Sequence, residues 1–204
     1  MSNRKTRLIW DALMTKRPDI HTFIDAGPGH PDSEAWYCRK QFPEATILGF
    51  EPHPGRYEAL LSTYPGVLSP MGLSNVVGTS AGFMGTPAYP RPHSNFKVQL
   101  EREAETHLYQ ETTVETVTLD YLDETQNLDD NVVIWADIEG SEMMMLQGGV
   151  HLLQSGRVRF IYLELLAIFP HLKPKMVIQF LKEHGFSLAL HPFPEDYIFE
   201  KGGS

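Results

Sequence analysis

Acidic residues follow two short apolar runs in positions where they could form a ligand site. The apolar run 132–136 is followed by Asp137 and Glu139, and the earlier run 22–24 is followed by Asp25. Parallel strands of an open α/β sheet hold their ligands at the carboxyl ends. Two strands that each end in carboxylates therefore predict an active-site rim at that edge of a sheet.

A loop with two glycines follows Asp25. Gly27 and Gly29 have no Cβ, so the backbone can approach a ligand closely. The pattern Gly27-x-Gly29-x-x-Asp32 lacks the third glycine of dinucleotide-binding loops. It therefore fits a smaller nucleoside better than a nicotinamide dinucleotide. The alternative is an ordinary strand-to-helix turn.

Glu51 ends the next apolar run, 46–50, one strand–helix–strand unit after Asp25. A carboxylate on this neighbouring strand can accept two hydrogen bonds from a ribose diol. Pro52 adjoins it and is expected at the same site. The alternative is an exposed acid before a turn.

Hydrophobic periodicity and turn residues predict how the chain is organised. Strands are predicted at 22–25, 46–50, 67–74, 80–84, 114–119, 132–137, 160–165, 187–190 and 197–200, with 114–119 as an edge strand. Helices are predicted at 8–17, 33–42, 54–64, 99–107, 141–155 and 174–184. Strands that alternate with amphipathic helices of about ten residues predict a doubly wound parallel sheet, an α/β fold with helices on both faces.

Length, charge and composition narrow the function. The 204 residues fit one domain, 1–204, with a surface insertion at about 85–107 that is rich in Pro and Gly. A net charge of −9 argues against nucleic acid as a partner. No stretch approaches the ~18 apolar residues of a membrane span. Cys38 is the sole cysteine, which favours a cytoplasmic protein.

Four segments together resemble the FkbM family of S-adenosylmethionine-dependent methyltransferases in order and spacing, across residues 20–165. They are 23–29, 49–54, 118–120 and 136–142. The resemblance implies a Rossmann-like class I methyltransferase fold, a seven-stranded sheet with its last strand antiparallel. It also implies S-adenosyl-L-methionine as cofactor and O-methylation of a hydroxyl on a sugar or natural product.

With that cofactor, the residues of the loop and rim take expected roles. Asp25 would engage the cationic amino-acid end of the cofactor, directly or through water. Leu73 and Ser74 would contact the adenine. Asp137 would border the cofactor and serve as general base for the acceptor hydroxyl. Glu139 would orient the substrate or share the proton; the alternative for Glu139 is an acid that favours the positive end of a helix dipole.

Four further residues are candidates on the substrate side. His30 in the glycine loop and His93 in the insertion are placed where a proton acceptor could reach the substrate. Glu164, near the end of strand 160–165, lies on the same rim. Arg91 suits a sugar because its guanidinium donates hydrogen bonds as a fork. We therefore expect a small-molecule or glycan acceptor and an insertion that borders its site.

Two other functions stay open at this point. One is a methyltransferase-like module that binds a nucleoside or a partner without turnover. The other is a metal-dependent hydrolase in which Asp137 and Glu139 bind a divalent cation. The metal is less favoured, because the sequence does not reveal a clear third and fourth ligand. No feature of the sequence predicts the oligomeric state.

Overall fold

A computed structural model describes residues 3–30, 33–85, 96–97, 109–166 and 173–202. The strands are β1 (Thr22–Ala26), β2 (Thr46–Phe50), β3 (Val67–Ser69), β4 (Gly72–Leu73), β5 (Gly78–Gly85), β6 (Phe96–Lys97), β7 (Tyr109–Val117), β8 (Val132–Ala136), β9 (Val158–Glu164), β10 (Phe186–Phe193) and β11 (Asp196–Lys201). The helices are α1 (Asn3–Met14), α2 (Glu34–Gln41), α3 (Pro54–Leu60), α4 (Leu119–Gln126), α5 (Glu142–Gln147), α6 (Val150–Gln154) and α7 (Pro174–Glu183).

Seven strands form the main sheet, in the order β10-β11-β9-β8-β1-β2-β3. Strands β9, β8, β1, β2 and β3 are parallel, and β11 runs antiparallel to both of its neighbours. The predicted α/β class with a mostly parallel sheet is therefore confirmed. No helix within the described ranges is long and apolar enough to cross a membrane.

Alternating side chains on the central strands fill two cores, one on each face of the sheet. Ile24 and Ile134 point into a core shared with α4, α5, α6 and α7. Phe23 and Trp135 point into the other core, which α1 and α2 cover. A strand buried on both faces appears in the sequence as a continuous apolar run, which explains the run 132–136. Helices thus lie on both faces of the sheet, as predicted.

The three central strands end at the same level. Ala26 of β1 pairs with Phe50 of β2 on one side and with Ala136 of β8 on the other. The next residues, Gly27 and Asp137, continue this ladder: the Gly27 amide donates to the Phe50 carbonyl, and the Asp137 amide donates to the Ala26 carbonyl, both at 3.0 Å. The loops that follow these strands therefore emerge side by side at one edge.

The structure corrects the predicted strands 67–74 and 114–119. Residues 67–74 form two strands in different sheets, because Pro70 has no amide hydrogen to continue a ladder. The first, β3, joins the main sheet, and the second, β4, pairs with β7. Strand β7 begins at Tyr109 and lies between β4 and β5, so it is an inner strand and not an edge strand. The second sheet, in the order β4-β7-β5-β6, was not predicted.

The predicted helix 141–155 is two helices, α5 and α6, separated by Gly148 and Gly149. A Cβ on Gly148 would lie 2.1 Å from the Ser74 carbonyl oxygen, and one on Gly149 would lie 2.8 Å from the Leu119 side chain. These close contacts require glycine and interrupt the helix. The first helix also differs from the prediction: it spans Asn3–Met14 and not 8–17. The predicted helix 99–107 lies outside the described residues.

Candidate active site

A cavity opens at the carboxyl edge of β1, β2 and β8, and the second sheet forms one of its walls. Seven residues predicted from the sequence line it: Gly27, Glu51, Pro52, Leu73, Ser74, Asp137 and Glu139. Several lining residues were not predicted: Phe50, Arg56, Ser80, Val114, Thr116 and Ser141. The acids that follow the central strands thus meet at one site, as expected for a parallel sheet.

Gly27 brings two of the loops into direct contact. Its φ is +82°, and a Cβ there would lie 2.3 Å from the Asp137 carbonyl oxygen. The sequence predicts that glycine here lets the backbone approach a ligand. In the structure, Gly27 also lets the backbone approach the start of the loop that follows β8. Gly29, with φ of +54°, does not line the cavity, and its amide donates to the Glu51 Oε2 at 3.3 Å.

The Glu51 carboxylate lies on the cavity wall and is only 3% exposed. Its Oε1 accepts a hydrogen bond from the His53 amide at 2.9 Å, and its Oε2 accepts the one from Gly29. Burial raises the pKa of Glu51, while the two amides and the Arg56 guanidinium act in the opposite direction. Since a carboxylate oxygen can accept two hydrogen bonds, each oxygen keeps capacity for a ligand.

The second sheet contributes an apolar wall with hydroxyl groups at its edge. Leu73 and Val114 are buried and line the cavity. The hydroxyl oxygens of Ser80 and Thr116 lie 3.4 Å apart, and the Thr116 hydroxyl donates to the Val76 carbonyl at 3.0 Å. Such a wall suits a flat, mostly apolar ring that carries polar atoms on its rim.

Asp25 is fully buried and is not part of the cavity lining. It accepts a hydrogen bond from the Tyr64 hydroxyl at 2.9 Å and forms another with Glu34, which requires a proton on one of the two carboxyl groups. Burial raises the pKa of Asp25 to about 7. Burial, together with the charge of Asp25, also raises the pKa of Glu34 well above its usual range. The structure therefore encloses Asp25 behind the cavity wall, in a cluster that was not predicted.

A second pair of carboxyl groups lies at the β8 side of the cavity, and one of the two lines it. Asp137 lines the cavity, and its side chain is hydrogen-bonded to Glu164, which lies behind it and does not line the cavity. Burial raises the pKa of Asp137 well above its usual range, and the charges of Glu164 and Glu139 raise it further. A carboxyl group whose pKa is raised in this way is suited to take up a proton near neutral pH.

The loop between β8 and α5 is strained and rests on a buried acid. Glu139 has φ of +52°, a left-handed conformation that costs about 1 kcal/mol or more in a residue other than glycine. Beneath the loop, Glu142 is fully buried, and its Oε1 accepts hydrogen bonds from the amides of Ile138 and Gly140, both at 3.3 Å. Burial raises the pKa of Glu142 to about 8. The hydrogen bonds from Glu142 thus fix the loop and keep Glu139 at the cavity wall.

Three predicted site residues remain, of which the structure describes only His30. His30 is exposed and does not line the cavity. Arg91 and His93, with most of the predicted insertion 85–107, lie outside the described residues. In the part of the chain that the structure describes, no group of three or more His, Cys, Asp or Glu side chains is arranged to hold a metal ion.

A parallel sheet with an acid-lined cavity at its carboxyl edge is the usual arrangement of nucleotide-binding α/β enzymes. The family model described as the methyltransferase FkbM domain matches residues 24–188. The chain therefore belongs to the FkbM methyltransferase family, with the class I methyltransferase-like α/β fold that this family implies. No curated protein matches the chain. Helix α1 and strand β11 lie outside the matched residues.

Proposed function

We propose that this methyltransferase uses S-adenosylmethionine and transfers a methyl group to a hydroxyl of a small acceptor, with a sugar or glycan favoured. The observation that carries the proposal is Glu51, a carboxylate at the cavity wall whose two oxygens are each held by a backbone amide. Such a group accepts both hydroxyls of a ribose without rearranging. When bound, the cofactor supplies an electrophilic methyl group on a positively charged sulfur.

The remaining cavity residues fit the rest of that cofactor. With the ribose on Glu51, an adenine ring would lie along Phe50 and Leu73, near the hydroxyl groups of Ser74 and Thr116. The oxygen of Ser141 lines the other side, is buried and has no hydrogen-bond partner among the described residues. It is therefore available to a polar group of the ligand. Carboxyl groups at both ends of the cavity favour a ligand that carries positive charge.

Asp137 and Glu139 are proposed to act on the acceptor. Methyl transfer requires the acceptor oxygen in line with the methyl carbon and a group that takes its proton. The Asp137 carboxyl lines the cavity and would take this proton as the oxygen–carbon bond forms. Glu139 would accept a hydrogen bond from another hydroxyl of the acceptor, which suits a sugar with neighbouring hydroxyls. Arg91, His93 and Glu164 stay predictions for the acceptor side.

Calorimetric binding of S-adenosylhomocysteine tests the proposal. Glu51→Ala should weaken binding by ~1.5–3 kcal/mol, the range for hydrogen bonds to a charged group, which is roughly 10- to 150-fold in Kd. Glu44→Ala is the matched control, because Glu44 is an exposed acid just before β2. Glu51→Gln keeps the shape of the side chain. It therefore shows whether a loss of affinity in Glu51→Ala comes from the missing charge or from a rearranged loop.

The results separate the proposal from its alternatives. Unchanged affinity in a folded Glu51→Ala protein would rule out the ribose assignment. Release of S-adenosylhomocysteine in the presence of a hydroxylated acceptor would exclude a module that only binds. Activity that disappears in chelator and returns with added Mg²⁺ would assign the Asp137 and Glu139 carboxylates to a metal instead.

A further inference from the structure

We propose that Arg56, on the cavity wall near Glu51, binds the carboxylate at the amino-acid end of the cofactor through its guanidinium group. The inference rests on the proposed use of S-adenosylmethionine. It concerns the end of the cofactor for which the sequence predicts Asp25, a residue that the structure encloses behind the cavity wall. The amino-acid end therefore needs a different partner.

The glycine loop after β1 has already used its backbone amides. In nucleotide-binding α/β folds a loop at this position binds anionic groups through such amides. Here the Gly27 amide donates to a carbonyl of β2 at 3.0 Å, and the Gly29 amide donates to Glu51 Oε2 at 3.3 Å. Pro28 has no amide hydrogen, and the His30 amide donates to the Pro28 carbonyl. Since all amides of these four residues are bound within the protein, an anionic group of the ligand needs a side chain.

Arg56 lies where the glycine loop meets the Glu51 carboxylate. Helix α3 begins at Pro54, and the His53 Nδ1 accepts the Arg56 amide at 3.3 Å, which fixes the first turn of the helix. The guanidinium group reaches the loop, because a Cβ on Gly29 would lie 3.7 Å from its Nη1. Its charge also acts on Glu51, where it opposes the increase in pKa that burial causes. The guanidinium group is therefore close to both the loop and the proposed ribose site.

Among the described residues that line the cavity, Arg56 is the one that carries a positive charge. The other charged lining residues are all acids: Glu51, Asp137 and Glu139. Lys5 is held by two acids and does not line the cavity, and the charge of the amino terminus acts at the β8 side, on Asp137. Burial and the charge of Arg56 lower the pKa of His53, which disfavours its charged form. A ligand carboxylate is therefore favoured beside Arg56 and disfavoured at the β8 side.

This position matches the shape of the cofactor. Adenine and the carbon that bears the sulfur leave a ribose ring from opposite ends, with the two hydroxyls between them. The loop after β1 lies on one side of β2, and β3 and the Leu73 wall lie on the other. With the ribose on Glu51 and the adenine along Leu73, the amino-acid chain extends toward Gly29 and Arg56. A guanidinium group there can bind a carboxylate with two parallel hydrogen bonds.

Calorimetry with two ligands tests the proposal. S-adenosylhomocysteine and decarboxylated S-adenosylhomocysteine share the adenosine, the sulfur and the amine, but only the first has the carboxylate. Arg56→Met should weaken binding of S-adenosylhomocysteine roughly 10-fold, as expected for a lost hydrogen bond to a charged group. The ratio of the two dissociation constants should fall by the same factor. An effect of Arg56 on Glu51 would weaken both ligands equally, because both contain the ribose, and so cancels in this ratio.

Two further variants serve as controls. Arg56→Lys keeps the charge without the planar fork, so it should retain part of the preference for the carboxylate. Arg7→Met removes an exposed arginine of α1, which pairs with Asp11 at 3.7 Å and does not line the cavity. It makes the same change in net charge and should leave both affinities unchanged. Arg56→Gln serves if the methionine variant does not fold.

The outcomes separate the role of Arg56 from the choice of cofactor. If a folded Arg56→Met protein binds both ligands more weakly by the same factor, or binds both like the wild type, the carboxylate contact is refuted and the proposed cofactor stands. A wild type that binds the two ligands equally well would also refute the contact. If the wild type binds neither ligand, the proposed cofactor fails, and the role of Arg56 fails with it.

Discussion

The two ends of the cavity hold their carboxyl groups in different ways. At one end, Glu51 accepts hydrogen bonds from two backbone amides. At the other end, Asp137 is hydrogen-bonded to another carboxyl group, Glu164, and lies near the charge of Glu139. Burial raises the pKa at both ends. The amides oppose that increase at Glu51, whereas the neighbouring acids add to it at Asp137.

The two ends suit different tasks: ligand binding at Glu51 and proton transfer at Asp137. Backbone amides favour an anion that accepts hydrogen bonds and does not change its charge, which suits a ligand-binding group. A carboxyl group whose pKa is raised by burial and by neighbouring acids suits a group that must gain or lose a proton. The strained backbone of Glu139 lies at the second end, and strain of this kind is common at active sites. We therefore expect substitutions at the two ends to affect different measurements.

The largest effect is expected from Asp137→Asn. The change preserves the shape of the side chain but removes the oxygen that takes the proton, so turnover should fall by ~10²–10⁴. The affinity for S-adenosylhomocysteine should stay close to that of the wild type, because the ribose contact is at the other end. Asp129→Asn, an exposed position before β8, is the control. Full turnover at saturating acceptor would contradict the assignment of the base and erase the distinction between the two ends.

A smaller effect concerns the stability of the loop at the Asp137 end. The pKa of Glu142 is raised from 4.5 to about 8 in the folded protein. Between these pH values the folded state holds a proton that the unfolded state releases, so the free energy of unfolding decreases as pH rises. One such proton gives a slope of about 1.4 kcal/mol per pH unit.

Urea unfolding between pH 5 and 8 measures this slope. In Glu142→Gln the loss of stability with rising pH should be smaller than in the wild type, because the amide cannot ionise and its oxygen still accepts from the Ile138 and Gly140 amides. Asp25, whose pKa is raised to about 7, contributes to the slope of both proteins and therefore cancels in the difference. Glu124→Gln, on the exposed side of α4, should behave like the wild type. Equal slopes in all three proteins would mean that Glu142 is already ionised in the folded state.

The residues at both ends could be predicted from the sequence because they directly follow buried strands. The runs 47–50 and 132–136 contain no polar residue, so their ends, and with them Glu51 and Asp137, are apparent without a structure. Strand ends of a parallel sheet meet at one edge. The apolar runs locate the strand ends, and the common edge of parallel strands brings those ends together. These two facts were enough to predict that Glu51 and Asp137 lie at one site.

The surroundings of these residues could not be predicted in the same way, because they depend on contacts between distant parts of the chain. Lys5 and Glu164 are 159 positions apart, and Tyr64 reaches Asp25 across 39 positions. Neither pair leaves a local signal. The second sheet was missed for a similar reason: its strands pair residues far apart, and β4 is only two residues long. Gly148 was interpreted as a helical residue because its contact with Ser74 is absent from the local pattern.

The smallest effect is expected from Asp120, which belongs to a segment that resembles the family but does not line the cavity. Its Oδ1 accepts the Leu152 amide at 2.8 Å and its Oδ2 accepts the His151 amide at 3.2 Å, so it caps the first turn of α6. Its own amide donates to the Gly148 carbonyl at 3.0 Å. Asp120 thus stabilises the junction between α5 and α6 and contacts neither end of the site.

Asp120→Ala should therefore lower the free energy of unfolding by about 1 kcal/mol, the usual cost of a lost helix cap. Asp120→Asn keeps a capping oxygen and should recover most of that loss. Turnover and the affinity for S-adenosylhomocysteine should change little in either variant, since neither Glu51 nor Asp137 loses a contact. Urea unfolding and calorimetry on the same samples check both statements. A large loss of affinity with little loss of stability would show that the α5–α6 junction positions the cavity wall through Gly148 and Ser74, and would extend the binding end of the site to this junction.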